Sequence, residues 1–149
     1  MGMFNTTFSH ILDENLPGLV LYARQWAAGF AEDVVQEAFV RLLQENPVPQ
    51  SPKAWLYRVV RNLAIDHARK ANRTTSLSGL ELDWFEAADD SLDVTESLRK
   101  LGDGVREIVV SKIWGDLTFR EIAELTGRPI SSVHHDYQQG LAQLKEILQ

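Results

Sequence analysis

Between positions 53 and 73 the chain carries Lys53, Arg58, Arg61, Arg69, Lys70 and Arg73, with Asp66 as the one acid among them. Cations gathered in this way attract polyanions, phosphates above all. A merely solvated face would mix its signs, so an anion-binding surface is the expected use. A second cluster, His134-His135-Asp136, offers the side-chain types of a metal site. Neighbours on a helix point about 100° apart and do not converge on one ion, so no metal is expected, and no cofactor. Nucleophilic chemistry lacks its parts. The chain has no cysteine, which excludes a disulfide scaffold, a thiolate zinc site and an iron–sulfur cluster and points to a reducing compartment. No hydroxyl has a base at suggestive spacing, and the carboxylates fall on solvent faces or in one acidic stretch, so no enzyme is expected.

The 149 residues suffice for one domain or two small ones and exclude a barrel or doubly wound enzyme. Hydrophobic residues at 44% and charged residues at 24% are close to the globular average, enough for a packed core. No apolar run approaches the ~18 residues that cross a bilayer. The N-terminus lacks a basic segment followed by an apolar one, so the chain is expected neither to span nor to be exported, and to work in the cytoplasm. Met1-Gly2 with Thr6 fits the loose myristoylation pattern, while Met3 equally serves as a native start. The net charge of −6 is unevenly spread. Residues 1–73 carry +1, residues 98–149 balance, and residues 74–97 hold all the excess acid in Glu81, Asp83, Glu86, Asp89, Asp90, Asp93 and Glu96. That acidic stretch, with Ser76, Ser78 and Gly79, reads as a linker; Leu77, Leu80, Leu82, Trp84 and Phe85 give it means to dock.

Helices must carry these groups. From Ala31 to Asn46, Val34, Val35, Ala38, Phe39, Leu42 and Leu43 recur at helical spacing, with Glu32, Asp33, Gln36, Glu37 and Arg41 on the other face. Asn46-Pro47-Val48-Pro49-Gln50 ends that helix, and Ser51-Pro52 supplies a cap and a first-turn proline for a second, running to about Lys70. On it Leu56, Val59, Val60, Leu63 and Ala64 face one way and Arg58, Arg61, Asn62 and Arg69 the other, while His67 falls on the apolar side as an expected core residue. Asp13 to Gly29 forms an earlier helix of the same bundle. Further on, Val105 to Trp114 is a helix broken at Gly115-Asp116. Thr118-Phe119-Arg120-Glu121 is a capping box opening a short helix, and Gly127-Arg128-Pro129 turns the chain. Ser131 or Ser132 then caps a last helix with the stripe Val133, Tyr137, Gly140, Leu141, Leu144 and Leu148. Short helix, glycine turn, longer helix is the helix-turn-helix pattern, though spacing alone fits an ordinary helical hairpin equally well. No segment alternates as a strand does, so the fold class is all-α.

These strings together resemble the extracytoplasmic-function sigma factors, small two-domain promoter-recognition subunits of bacterial RNA polymerase. AEDVVQEAFVRLL at 31–43 resembles the family's core-binding helix, AWLYRVVRNLAIDHARK at 54–70 its promoter-melting helix, and residues 101–148 its second domain, with LTFREIAELTG as the first helix of a helix-turn-helix. The resemblance implies a region 2 domain at 1–72, an acidic linker at 73–97 and a region 4 domain at 98–149. It implies that Asp33, Gln36 and Glu37 bind the clamp coiled coil of core RNA polymerase. Arg58, Arg61, Asn62, Arg69, Lys70 and Arg73 would hold promoter DNA near the −10 element, with the 46–51 loop capturing a flipped base. The acids of the linker would imitate nucleic acid in the polymerase cleft. Around the −35 element the contacts fall to Arg120, Arg128, Ser131, Ser132, His134, His135, Gln138 and Gln139.

One departure from the family pattern stands out. Lys or Arg usually occupies the positions held here by His134 and Asp136, so the electrostatic part of −35 binding should be small, with Arg120 and Arg128 as the nearby compensators. Two readings follow. The favoured one is an active sigma factor that binds core polymerase, reads both elements and melts DNA without catalysis of its own; the alternative is a sigma-like mimic that binds an anti-sigma factor or polymerase without −35 recognition. An anti-sigma factor is thus a further candidate partner. Packing of the two domains on each other in the free chain would bury both DNA faces and suit such a factor. With the sequence ending at Gln149, regulation by an appended domain is not expected.

Overall fold

The computed structural model describes the backbone of residues 2–74 and 92–148, and the side chains of residues 7–71 and 96–148. Seven α-helices are found among the described residues, and no strand: α1 (Gly2–Ala23), α2 (Ala31–Gln44), α3 (Pro52–Thr74), α4 (Leu92–Arg99), α5 (Asp103–Ile113), α6 (Phe119–Thr126) and α7 (Ile130–Leu148), with a single 3-10 turn at Ala28–Phe30. Residues 75–91 of the acidic stretch lie outside the described residues, and α4 occupies the last part of the expected linker.

Helices α1, α2 and α3 pack pairwise into a bundle. In α2 the buried residues are Ala31, Val34, Val35, Ala38, Phe39 and Leu42, and Glu32 and Asp33 lie in the first turn, where the helix dipole favours them. From α1 come Leu19, Tyr22 and Ala23, and from α3 Leu56, Tyr57, Val60 and Ala64. Removing each large apolar side chain from water contributes about 1.5–3 kcal/mol. Two expectations need correction here. The first helix starts near Gly2 and ends at Ala23 rather than running from Asp13 to Gly29, because Phe8, Ile11 and Leu12 continue its apolar stripe onto the core; Phe8 meets the Phe39 ring edge-on at 5.9 Å. His67 is no core residue: it is exposed and stacked at 5.6 Å on Phe30, which is exposed too.

The second bundle is built on Leu98, Leu101, Ile108, Val109, Val110, Leu117, Ile122 and Val133. Arg106 ties the end of α4 to α5, donating from Nε to the Leu98 carbonyl at 2.9 Å and from Nη2 to that of Leu101 at 2.8 Å. Where α5 and α7 cross, a Cβ on Gly140 would lie 2.7 Å from Val109 Cγ2 and 2.8 Å from Val105 Cγ1, so only glycine lets them approach. The capping box at α6 forms as the sequence indicates. Thr118 Oγ1 accepts from the Glu121 N–H at 3.0 Å, and the Glu121 carboxylate accepts from the Thr118 N–H at 2.9 Å. Gly127 closes α6 with φ of 69°, the left-handed geometry that glycine adopts without strain. Because α7 already begins at Ile130, Ser131 and Ser132 lie inside its first turn rather than capping it; Pro129 offers its carbonyl to the Val133 N–H at 3.1 Å.

The two bundles meet through α1 against α5 and α3 against α6. The Tyr57 ring lies at the junction: a Cβ on Gly18 would come within 2.7 Å of its hydroxyl oxygen, and one on Gly115 within 2.9 Å. Both glycines make room for one tyrosine.

Candidate nucleic-acid interface

The basic stripe lies on α3, but its members have different surroundings. Arg58, Asn62, Arg69 and Lys70 are exposed. Asn62 and Arg69, with Arg61, Leu63, Ile65 and Asp66, line an open depression on the outer face of the helix. Lys70 pairs with Asp66 at 3.1 Å one turn away, and that hydrogen bond holds the Asp66 carboxyl below its ordinary range. The side chain of Arg73 lies outside the described residues. Arg58 shares a groove with Pro49, Ser51, Ala54 and Trp55, whose other wall is Glu121, Glu124 and Leu125 of α6.

Arg61 is placed differently from the expectation of a solvent-facing contact. Its Nε donates to Glu107 Oε2 at 2.5 Å and its Nη2 to Glu107 Oε1 at 3.3 Å, across the junction of the bundles. The Tyr22 hydroxyl donates to the same carboxylate at 2.5 Å, and the guanidinium carbon stands 5.7 Å from the centre of the Trp26 ring. Hydrogen bonding to Glu107 raises the pKa of Arg61; burial first, then the neighbouring carboxylate, pushes the Tyr22 phenol well up. Arg61 therefore stays charged and Tyr22 stays a donor across the ordinary pH range.

On α2, Asp33, Gln36 and Glu37 share one exposed face, with Arg41 paired to Glu37 at 3.8 Å. Val40 and Leu43 extend this face as exposed apolar residues. The helical spacing of α2 places Leu43 in the core stripe, but it is exposed, and Val40 lies beside it one turn beyond Gln36 and Glu37. The face combines carboxylates with apolar surface, as a protein-binding helix does.

In the helix-turn-helix, Ser131, His134, His135, Gln138 and Gln139 of α7 are exposed, and Ser132 is half-buried. Arg120 is exposed on α6. Arg128 is spent within the motif: it forms a salt bridge with Asp136, whose other oxygen lies 3.3 Å from His135 Nδ1. The Arg128 hydrogen bond holds the Asp136 carboxyl below the usual carboxylate range. The His134 ring lies against that of Phe119, centres 3.9 Å apart and planes tilted by 33°, and Lys112 Nζ is 4.7 Å from the centre of the Phe119 ring. The exposed start of α7 thus presents hydroxyls, amides and imidazoles, and its one basic residue, Lys145, is in the last turn.

Residues 11–74 match the family model for sigma-70 region 2, and residues 91–144 match that for sigma-70 region 4. Among curated proteins the chain is 28% identical over 140 residues to the ECF RNA polymerase sigma factor SigW of Bacillus subtilis, covering 79% of this chain and 75% of that one. It is 26% identical over 110 residues to the RNA polymerase sigma factor SigV of the same organism, covering 69% and 66%. Against the ECF sigma factor RpoE of Cereibacter sphaeroides it is 24% identical over 132 residues, covering 80% and 72%. Among solved structures, the fold matches the sigma factor RpoE in its complex with the anti-sigma factor NepR from Bartonella quintana, with a TM-score of 0.71 at 20% identity over 95% of this chain and 96% of that one. It also matches CnrH in complex with the cytosolic domain of CnrY, with a TM-score of 0.61 at 25% identity over 97% and 88%.

Proposed function

Since the chain belongs to the extracytoplasmic-function sigma factor family of bacterial RNA polymerase, its role is that of a sigma factor in transcription initiation, and we propose how its own residues divide that work. A region 2 domain at 1–72 binds core polymerase and the −10 element, a connector spans 73–97, and a region 4 domain at 98–149 binds the −35 element. Asp33, Gln36 and Glu37, with Val40 and Leu43 beside them, engage the clamp coiled coil. Carboxylates meet basic partners there while the apolar pair supplies desolvated contact. Arg58, Asn62, Arg69, Lys70 and Arg73 hold promoter phosphates and strand, and Arg61 joins them when Glu107 releases it. Arg120, Ser131, Ser132, His134, His135, Gln138 and Gln139 read the −35 element through hydrogen bonds more than charge, with Arg128 contributing where Asp136 leaves it. The protein does no catalysis of its own and works where polymerase is, in the cytoplasm. An anti-sigma factor is proposed as a regulator because two of the solved structures that the fold matches are complexes, one with an anti-sigma factor and one with a cytosolic domain.

The observation that carries this reading is the acidic-apolar face of α2 beside the exposed cations of α3, in a chain that matches both sigma regions in order. Its test is capture of core polymerase by the purified chain. Capture that is lost in Glu37→Lys, with the helical spectrum unchanged, supports the assignment; equal capture by wild type and variant removes it. A second reading, the mimic that binds polymerase without −35 recognition, is favoured by the Arg128–Asp136 pair and the absence of Lys or Arg from the first four turns of α7.

A further inference from the structure

Two side chains of the first domain converge on one carboxylate of the second. Glu107 is buried on α5, flanked by Ile108, Val109 and Val110 and by buried Ser111. It accepts from Tyr22 of α1 at 2.5 Å and from two nitrogens of Arg61 of α3 at 2.5 and 3.3 Å. An arginine fork receiving two oxygens of an anion is the geometry with which arginine also takes phosphate. Around it the second domain brings more oxygen to the same face of the first. Lys53 Nζ donates to the Asp116 carbonyl at 3.0 Å, Ser51 Oγ donates to Glu121 Oε2 at 3.4 Å, and Glu121 and Glu124 wall the groove that holds Arg58. The loop before α3 and two cations of its stripe are thus faced by acids of the other domain.

A counterweight is built into the same junction. The Tyr57 hydroxyl is buried against Gly18 and Gly115 and has no hydrogen-bond partner among the described residues. A buried unpaired hydroxyl disfavours the state that buries it, and separation of the domains would return it to water. The junction combines one strong ionic contact with one unsatisfied group.

We propose that Glu107 acts as an internal phosphate surrogate: in the free chain it occupies the Arg61 fork, holds the second domain against the Arg58–Arg61 part of α3 while Asn62, Arg69 and Lys70 stay exposed, and must be displaced before DNA can engage Arg61. This rests on the reading of α3 as a DNA surface. Closed chain and DNA compete for Arg61, so the apparent DNA affinity is the intrinsic affinity scaled by the fraction of open chain. Tyr22 strengthens the closed form through Glu107, and Tyr57 weakens it.

The test uses the full-length chain. Because it has no cysteine, Ser9→Cys on exposed α1 and Gln143→Cys on exposed α7 admit a pair of spin labels that report the distance between domains without nucleic acid. Glu107→Gln and Tyr22→Phe are expected to add a longer-distance population and to tighten binding of a mixed-sequence single-stranded DNA, on the order of tenfold for Glu107→Gln. Tyr57→Phe is expected to do the opposite, sharpening the short distance and weakening DNA binding severalfold. Wild-type distances and affinities in all three variants would overturn the proposal, as would opening by Tyr57→Phe. Should Glu107→Gln fail to fold, the opposed signs of the two tyrosine variants still decide. Distances that shift with no DNA bound by any form would overturn the DNA reading of α3 and leave the intramolecular contact standing.

Discussion

Arg58, Arg69 and Asp136 differ in what a charge change at each would do. Arg58 and Arg69 are exposed on α3, so replacing either with alanine is expected to weaken DNA binding about equally across sequences. Each replacement should lower the slope of log affinity against log salt by about one; loss confined to one sequence would point to base reading instead. Asp136→Asn releases Arg128 from its salt bridge and is expected to tighten −35 DNA and steepen that slope, a change measurable by titration at several salt concentrations. The same pair sets a pH dependence. The Asp136 carboxyl is held below its unfolded value by Arg128, so its contribution to stability is fully present at neutral pH and is lost as pH falls through the folded value. Acid denaturation curves of wild type and Asp136→Asn should therefore converge at low pH and separate above the unfolded aspartate range. In the sequence, the loss of cations at His134 and Asp136 was legible, whereas the pairing of Asp136 with Arg128 was not, because it depends on how the 127–129 turn returns the chain.

At the scale of elements, the periodicity of α2 and the capping box of α6 were readable from spacing, since both rest on contacts within a turn or two. Thr118→Ala removes the side-chain half of that box and is expected to cost about 1 kcal/mol in urea melts. Gly140→Ala puts a methyl against Val105 and Val109 where α5 crosses α7, and the overpacking is expected to cost about 1–3 kcal/mol. What spacing misassigned lies at the edges of stripes. Leu43 follows Leu42 in sequence yet is exposed, and His67 lies outside the core against Phe30, because an apolar stripe about 100° wide does not say which flank a neighbouring helix covers. The start of α1 was missed for a related reason: Phe8, Ile11 and Leu12 bury themselves only through α2 and the rest of the core.

Across the whole molecule, two domains were legible from the break in charge and composition, and their mutual packing surface was not. Glu107 reads in sequence as one acid of a neutral half. Only the approach of α1 and α3 turns it into the shared acceptor of Tyr22 and Arg61, a contact spanning elements far apart in the chain. On the proposal made above, internal contacts are exchanged for external ones when the chain acts: acids of the second domain would leave Arg61 and Arg58, and promoter DNA would take their place. The most direct measurement is run-off transcription from genomic fragments with purified core polymerase, with and without the chain, and with the 5′ ends of the transcripts mapped. New transcripts that share start-site spacing to common upstream elements, present only with the chain, are the predicted result. Polymerase that binds the chain yet yields no specific transcript would contradict the account and leave the mimic in its place.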